Sequence, residues 1–100
     1  MEKRKPHYPL EEIKSRVATH GVAAFTISAV ENYRLMGLDD ENALQVVLGL
    51  KSTMFYKSMT TYYDTSLWQD VYHAPTHFGK VAYIKVTLRD GAVVIQFKEK

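Results

Sequence analysis

Arg89-Asp90-Gly91-Ala92 separates two runs in which apolar and polar residues alternate. Asp-Gly supplies two positions that tolerate positive φ, which a tight turn between right-twisted strands demands. Residues 81–88 and 92–98 are therefore expected to form an antiparallel hairpin. Alternation gives each strand two distinct faces. Val93, Ile95 and Phe97 fall on one side of the last strand, with Val94, Gln96 and Lys98 on the other. In the preceding strand Ala82, Ile84 and Val86 oppose Val81, Tyr83, Lys85 and Thr87. A sheet with one apolar face needs a second layer to cover it.

The first half of the chain supplies that layer. Pro9 suits the opening of a helix, and Leu10, Ile13 and Val17 are spaced for one buried face before Gly21 stops it. A second helix is expected from Thr26 or Ser28, burying Ala29, Val30, Tyr33 and Leu35 or Met36 and ending at Gly37. Asp39 or Asp40 caps a third, with Ala43, Val46, Val47 and Leu50 inward. Val22 to Phe25 reads as either a short strand or a loop. The expectation is an α+β fold, with three N-terminal helices packed on one face of a mainly antiparallel, twisted β-sheet. One hundred residues, 46% of them apolar, fit a single domain spanning 1–100.

Two further strands are expected near 54–62 and 66–72, two runs of aromatic and β-branched residues around a polar break. The fold alone requires neither Lys57 in the first nor Gln69 in the second. On a polar sheet face they offer a fixed cation and an amide, the groups that hold a phosphate. Tyr56, Tyr62, Trp68 and Tyr72 stand nearby in sequence to stack on bases, which points to single-stranded RNA. Residues 51–100 hold seven basic and four acidic side chains, against six and seven in residues 1–50. The excess falls at Lys57, Lys80, Lys85 and Lys98, a local phosphate-attracting patch on a chain of net charge +2. With no cysteine there is no disulfide framework and no thiolate ligand, which fits a reducing, cytoplasmic compartment. No apolar run reaches transmembrane length and no secretory leader is evident, so no membrane association is expected.

Phe55-Tyr56-Lys57-Ser58-Met59-Thr60-Thr61-Tyr62 and Trp68-Gln69-Asp70-Val71-Tyr72 resemble the MqsR family, toxins of a bacterial type II toxin–antitoxin system. Met1-Glu2-Lys3-Arg4, Gly49-Leu50, Tyr83-Ile84-Lys85 and Phe97-Lys98-Glu99-Lys100 extend the resemblance over the whole chain. It implies a RelE/YoeB-like fold and a metal-independent mRNA interferase, an endoribonuclease preferring GCU-type sites, without cofactor. It also implies an MqsA-like antitoxin partner with zinc-binding and helix-turn-helix DNA-binding parts. No helix-turn-helix is evident in this chain, so DNA is expected to be met only through that antitoxin. The family's functional residues carry over to Lys57, Gln69, Tyr83 and Lys98 as catalytic candidates. Two departures stand out: Gly79-Lys80-Val81-Ala82-Tyr83 is one residue longer than the family spacing, and His73 stands where an arginine is expected.

RNA cleavage without metal requires a proton to leave the ribose 2′-OH, charge on the phosphorane to be stabilised, and a proton to reach the leaving 5′-oxygen. Lys57 and Lys98 supply charge, and crowding by other cations would lower a lysine's pKa toward base or acid duty. Tyr83 and Gln69 can orient the phosphate. Tyr56, Lys85, Gln96 and His73 are expected to contact the RNA. His73 with His77 is a competing acid/base pair, although a plain loop role outweighs it. As zinc ligands the two would need a helix, which Pro75 between them opposes, so no metal site is expected. Two other classes share these features: a non-catalytic single-stranded RNA-binding module, and a protein-interaction domain docking through the helix near Asp39–Leu50.

Overall fold

Asp90 and Gly91 take positive φ values of 53° and 79°, the backbone that the tight turn between the last two strands demands. A computed structural model describes residues 1–77 and 79–100. Phe78, part of the loop expected before the third predicted strand, lies outside the described residues. The chain runs β1 (Glu2–Lys3), α1 (Leu10–His20), a 3₁₀ turn (Gly21–Ala24), α2 (Ile27–Leu35) and α3 (Asp40–Leu48). After a second 3₁₀ turn (Ser52–Met54) come β2 (Phe55–Thr60), β3 (Trp68–Pro75), β4 (Val81–Arg89) and β5 (Ala92–Glu99). The strands form one five-stranded antiparallel sheet in sequence order, which makes the fold α+β. The helices do not begin the chain as expected, because β1 precedes them and pairs with β2 through Glu2–Met59 and Lys3–Ser58.

The helix ends follow local chemistry. The Thr26 hydroxyl accepts from the Ala29 N–H at 3.0 Å, and an Asp39 carboxylate oxygen accepts from the Asn42 N–H at 2.8 Å. Gly21 leaves α1 at φ 61°, a conformation costly for a side chain with a Cβ. Val22 to Phe25 is no strand: it coils into the 3₁₀ turn, and Phe25 alone makes a parallel bridge to Ile95.

Ile13, Val17, Ala29, Tyr33, Ala43 and Val47 meet Ile84, Val86, Ile95 and Phe97 in the core. Phe25, Tyr33 and Phe97 pack edge to face, with ring centroids 5.4 to 6.2 Å apart. Such aromatic pairs contribute about 0.5–1.5 kcal/mol beyond their buried area. The buried Tyr33 hydroxyl donates to Asp40, and burial pushes its pKa up to about 12. Leu35, an alternative to Met36 for the buried face, is exposed, while Met36 is buried. Val30 and Val46 are only half-buried.

Helix α2 also closes one edge of the sheet. The Thr26 N–H donates to the Ile95 carbonyl at 3.1 Å and the Asn32 amide to the Phe97 carbonyl at 3.0 Å. Carbonyls that would invite another strand are thereby occupied. The opposite edge is the two-residue β1. No helix among the described residues is long and apolar enough to cross a membrane.

Candidate functional site

A β-bulge in β2 creates the site. Phe55 stands opposite Tyr72 and Lys57 opposite Val71, so two steps along β2 match one along β3. Strict alternation would turn Phe55 and Lys57 to the same side. The extra residue instead lets Phe55 join the core against Tyr72, ring centroids 5.6 Å apart, while Tyr56 and Lys57 both serve the open face.

That face is organised in rows across the strands. In the first, Tyr56 stacks on His73 at 4.4 Å and 24°, His73 lies 5.4 Å from Tyr83, and Lys98 Nζ is 5.0 Å from the Tyr83 ring centroid. The second row is Lys57, Val71, Lys85 and Gln96. Gln69 lies beyond it, opposite Met59, and is only 9% exposed. Lys57, Tyr83, Lys98, Tyr56, Lys85, Gln96 and His73 thus come together on one surface. Gln69 shares their face but is nearly covered and one row removed. Thr76 donates its backbone N–H and its hydroxyl to the Lys80 carbonyl at 2.9 and 2.8 Å just before β4, on which Tyr83 stands opposite His73.

Five sequence expectations change. Tyr72, expected to stack on bases, is 1% exposed and packs in the core against Phe55, on the face away from the ladder. Trp68 lies on that face too, where Lys3 Nζ sits 4.1 Å over its ring and His7 stacks at 5.4 Å. Tyr62 is in the β2–β3 loop and fully exposed, not on a strand. Lys80 precedes β4 and pairs with Glu99 at 3.7 Å. His77 lines a separate groove beside Gln45 and Met54, so it forms no pair with His73. Among the described residues no three His, Cys, Asp or Glu side chains cluster as metal ligands.

One site residue was missed. Glu2, carried in by β1, places Oε1 2.6 Å from Lys57 Nζ. A two-residue strand has no periodicity to detect; the only signal was an acid in the quoted Met1-Glu2-Lys3-Arg4 segment. The pair shapes the local electrostatics. The hydrogen bond to Glu2 raises the Lys57 pKa, and the same bond lowers that of Glu2. Lys85 moves the other way, lowered by burial and then by the charge of Lys98. Burial, with the nearby Lys100 charge, lowers His73, whose Nε2 is buried without a partner. The ladder therefore holds an imidazole whose neutral form is favoured, lying between the Tyr56 and Tyr83 rings.

Stacked rings and cations thus share one face of a small α+β protein. Residues 5–99 match the family described as "Motility quorum-sensing regulator, toxin of MqsA". The chain is also 42% identical to the mRNA interferase toxin MqsR of Escherichia coli (strain K12), over 100% of both chains. It belongs to the MqsR toxin family.

Proposed function

We propose that this chain is the toxin of a type II toxin–antitoxin pair and acts in the cytoplasm as a metal-independent endoribonuclease on mRNA at GCU-type sites. The observation that carries the reading is the Tyr56–His73–Tyr83–Lys98 ladder beside Lys57, on a chain 42% identical to an mRNA interferase toxin. The ladder's rings offer π-faces to splayed bases, and its cations offer partners to the phosphates between them. In this reading the fold is a RelE/YoeB-like scaffold, and an MqsA-like antitoxin with zinc-binding and helix-turn-helix parts restrains the activity.

The ribose 2′-oxygen loses its proton and attacks phosphorus, giving a 2′,3′-cyclic phosphate while the 5′-oxygen leaves with a proton. Lys57, held charged by Glu2, stabilises the phosphorane rather than accepting that first proton. Lys98 stabilises the same charge from the ladder's far end, and Tyr83 between them donates to a phosphate oxygen. Gln69, on the same face one row beyond Lys57, helps orient the phosphate.

The test is incubation of the purified protein with a short GCU-containing RNA in EDTA. Cleavage leaving a 2′,3′-cyclic or 3′-phosphate and a 5′-hydroxyl is expected. Activity that chelation abolishes and magnesium restores, or 5′-phosphate ends, would overturn the mechanism. Binding without cleavage under any condition would leave an RNA-binding module instead.

A further inference from the structure

The candidate ladder continues into a groove of ≈ 350 Å³ between the start of α2 and strands β4 and β5. Tyr83 and Lys98 belong to both, so a strand of RNA on the ladder has this groove immediately beside it. Ala29 and Phe97, which are 1% and 2% exposed, lie at its base. Its walls carry Ser28, Asn32, Lys85 and Gln96.

What distinguishes the groove is polar capacity that the fold leaves uncommitted. Asn32 spends its amide nitrogen on the Phe97 carbonyl, which leaves its side-chain oxygen as an acceptor. Among the described residues, the side chains of Ser28, Lys85 and Gln96 form no hydrogen bond or ion pair. These groups offer acceptors, neutral donors and a cation around one groove. A planar heterocycle with a hydrogen-bonding edge and an attached phosphate matches that chemistry. A volume near the lower end of small-ligand pockets, which begin at roughly 300 Å³, suits one nucleotide rather than a folded segment.

We propose that this groove takes one nucleobase flanking the scissile phosphate, and that Gln96, with Ser28 and Asn32, sets which base is preferred there. The inference rests on the ribonuclease reading above and adds the residues that read sequence. Amide side chains read base edges through paired donor and acceptor bonds, and unstacked RNA bases expose those edges. Lys85 and Lys98 at the mouth hold the adjoining phosphates, so the base enters with its sugar outward. A protein partner on the same groove is the competing occupant.

The experiment is cleavage of an RNA pool randomised around a fixed site, with sequencing of the ends, for the wild type, Gln96→Leu and Ser28→Ala. Ser28 is exposed, so its variant keeps the fold if Gln96→Leu does not. The expected result is that base preference at one position collapses, by about tenfold for Gln96→Leu given the usual worth of an amide–base pair, while the other positions keep theirs. Retention of the wild-type preference at every position by both variants would overturn the proposal. So would a uniform loss at all sequences, or loss of antitoxin binding with unchanged cleavage preference. A wild type that cuts no RNA would instead overturn the ribonuclease reading beneath it.

Discussion

Asp70 is fully buried in β3, and its carboxylate reaches across the sheet end to the segment between β1 and α1. The His7 N–H donates to both its oxygens, at 3.0 and 2.9 Å, and the Tyr8 N–H donates at 2.9 Å. Tyr8 adds a hydroxyl bond to the Trp68 carbonyl at 2.7 Å. Asp70 thus ties the amino-terminal segment down. Hydrogen bonds to a charged group each contribute roughly 1.5–3 kcal/mol net. Asp70→Ala strands two N–H donors, for a loss of about 3–6 kcal/mol before compensation. Two effects reduce it: no carboxylate then has to be kept out of water, and the exposed His7 segment can swing into solvent. The net expectation is about 2–4 kcal/mol, and at roughly 4–8 °C per kcal/mol for a chain this size Tm falls by about 8–32 °C.

The assay is thermal unfolding by circular dichroism at pH 7, with hydrogen exchange resolving the His7 and Tyr8 amides. Asp70→Asn keeps one acceptor oxygen and should lose about half as much. Because β1 hangs from this anchor, exchange at Thr60, whose N–H donates to the Met1 carbonyl at 2.9 Å, should accelerate in Asp70→Ala as well. A fall in Tm below about 3 °C with protection at His7 and Tyr8 intact would refute the anchoring argument.

Lys57→Ala should fold with little change in Tm, since its ion pair is at the surface, yet lose roughly 10²–10³ in kcat/KM on RNA, the usual cost of removing one charge-stabilising donor; full activity in the folded variant would refute its role. The Glu2–Lys57 pair carries its own pH signature: Glu2 is depressed, so its contribution is present above 4.5 and lost as pH falls through its lowered value. Lys57 is raised, so its contribution is present below 10.5 and lost as pH climbs through its higher value. Thr60 exchange protection should therefore hold across neutral pH and drop in acid, and Glu2→Gln should flatten that acid limb; an unchanged limb would refute the assignment. Lys57→Ala should also bind the cognate antitoxin with near-wild-type affinity by isothermal titration, and a loss above ~2 kcal/mol would put Lys57 inside that interface.

Features encoded locally were legible in the sequence. The Asp90-Gly91 turn, the Thr26 and Asp39 caps and the alternation of β4 and β5 each depend on residues within a few positions of one another. What escaped depends on residues far apart in the chain. Trp68 reads as a base-stacking residue until the amino-terminal segment, some sixty positions away, lays His7 and Lys3 against it. Asp70 carries no sign of its anchoring role until the same segment supplies its donors. Nothing local to either residue announces that contact.

The bulge and Glu2 show how far such a contact can alter chemistry. Alternation alone puts Tyr56 opposite in sense to Lys57, yet the ladder needs both on one face, and one extra residue in β2 reconciles them with Phe55 in the core. Crowding among cations was expected to lower the pKa of Lys57 or Lys98; the lysine that is lowered is Lys85, by burial first and then by the charge of Lys98. At Lys57 the sign reverses, because β1 brings a carboxylate to 2.6 Å. Two lysines in one row of the sheet thus differ in character: the bond to Glu2 raises the pKa of Lys57, while burial and then the charge of Lys98 lower that of Lys85. The raised member owes its shift to where the second residue of the chain pairs.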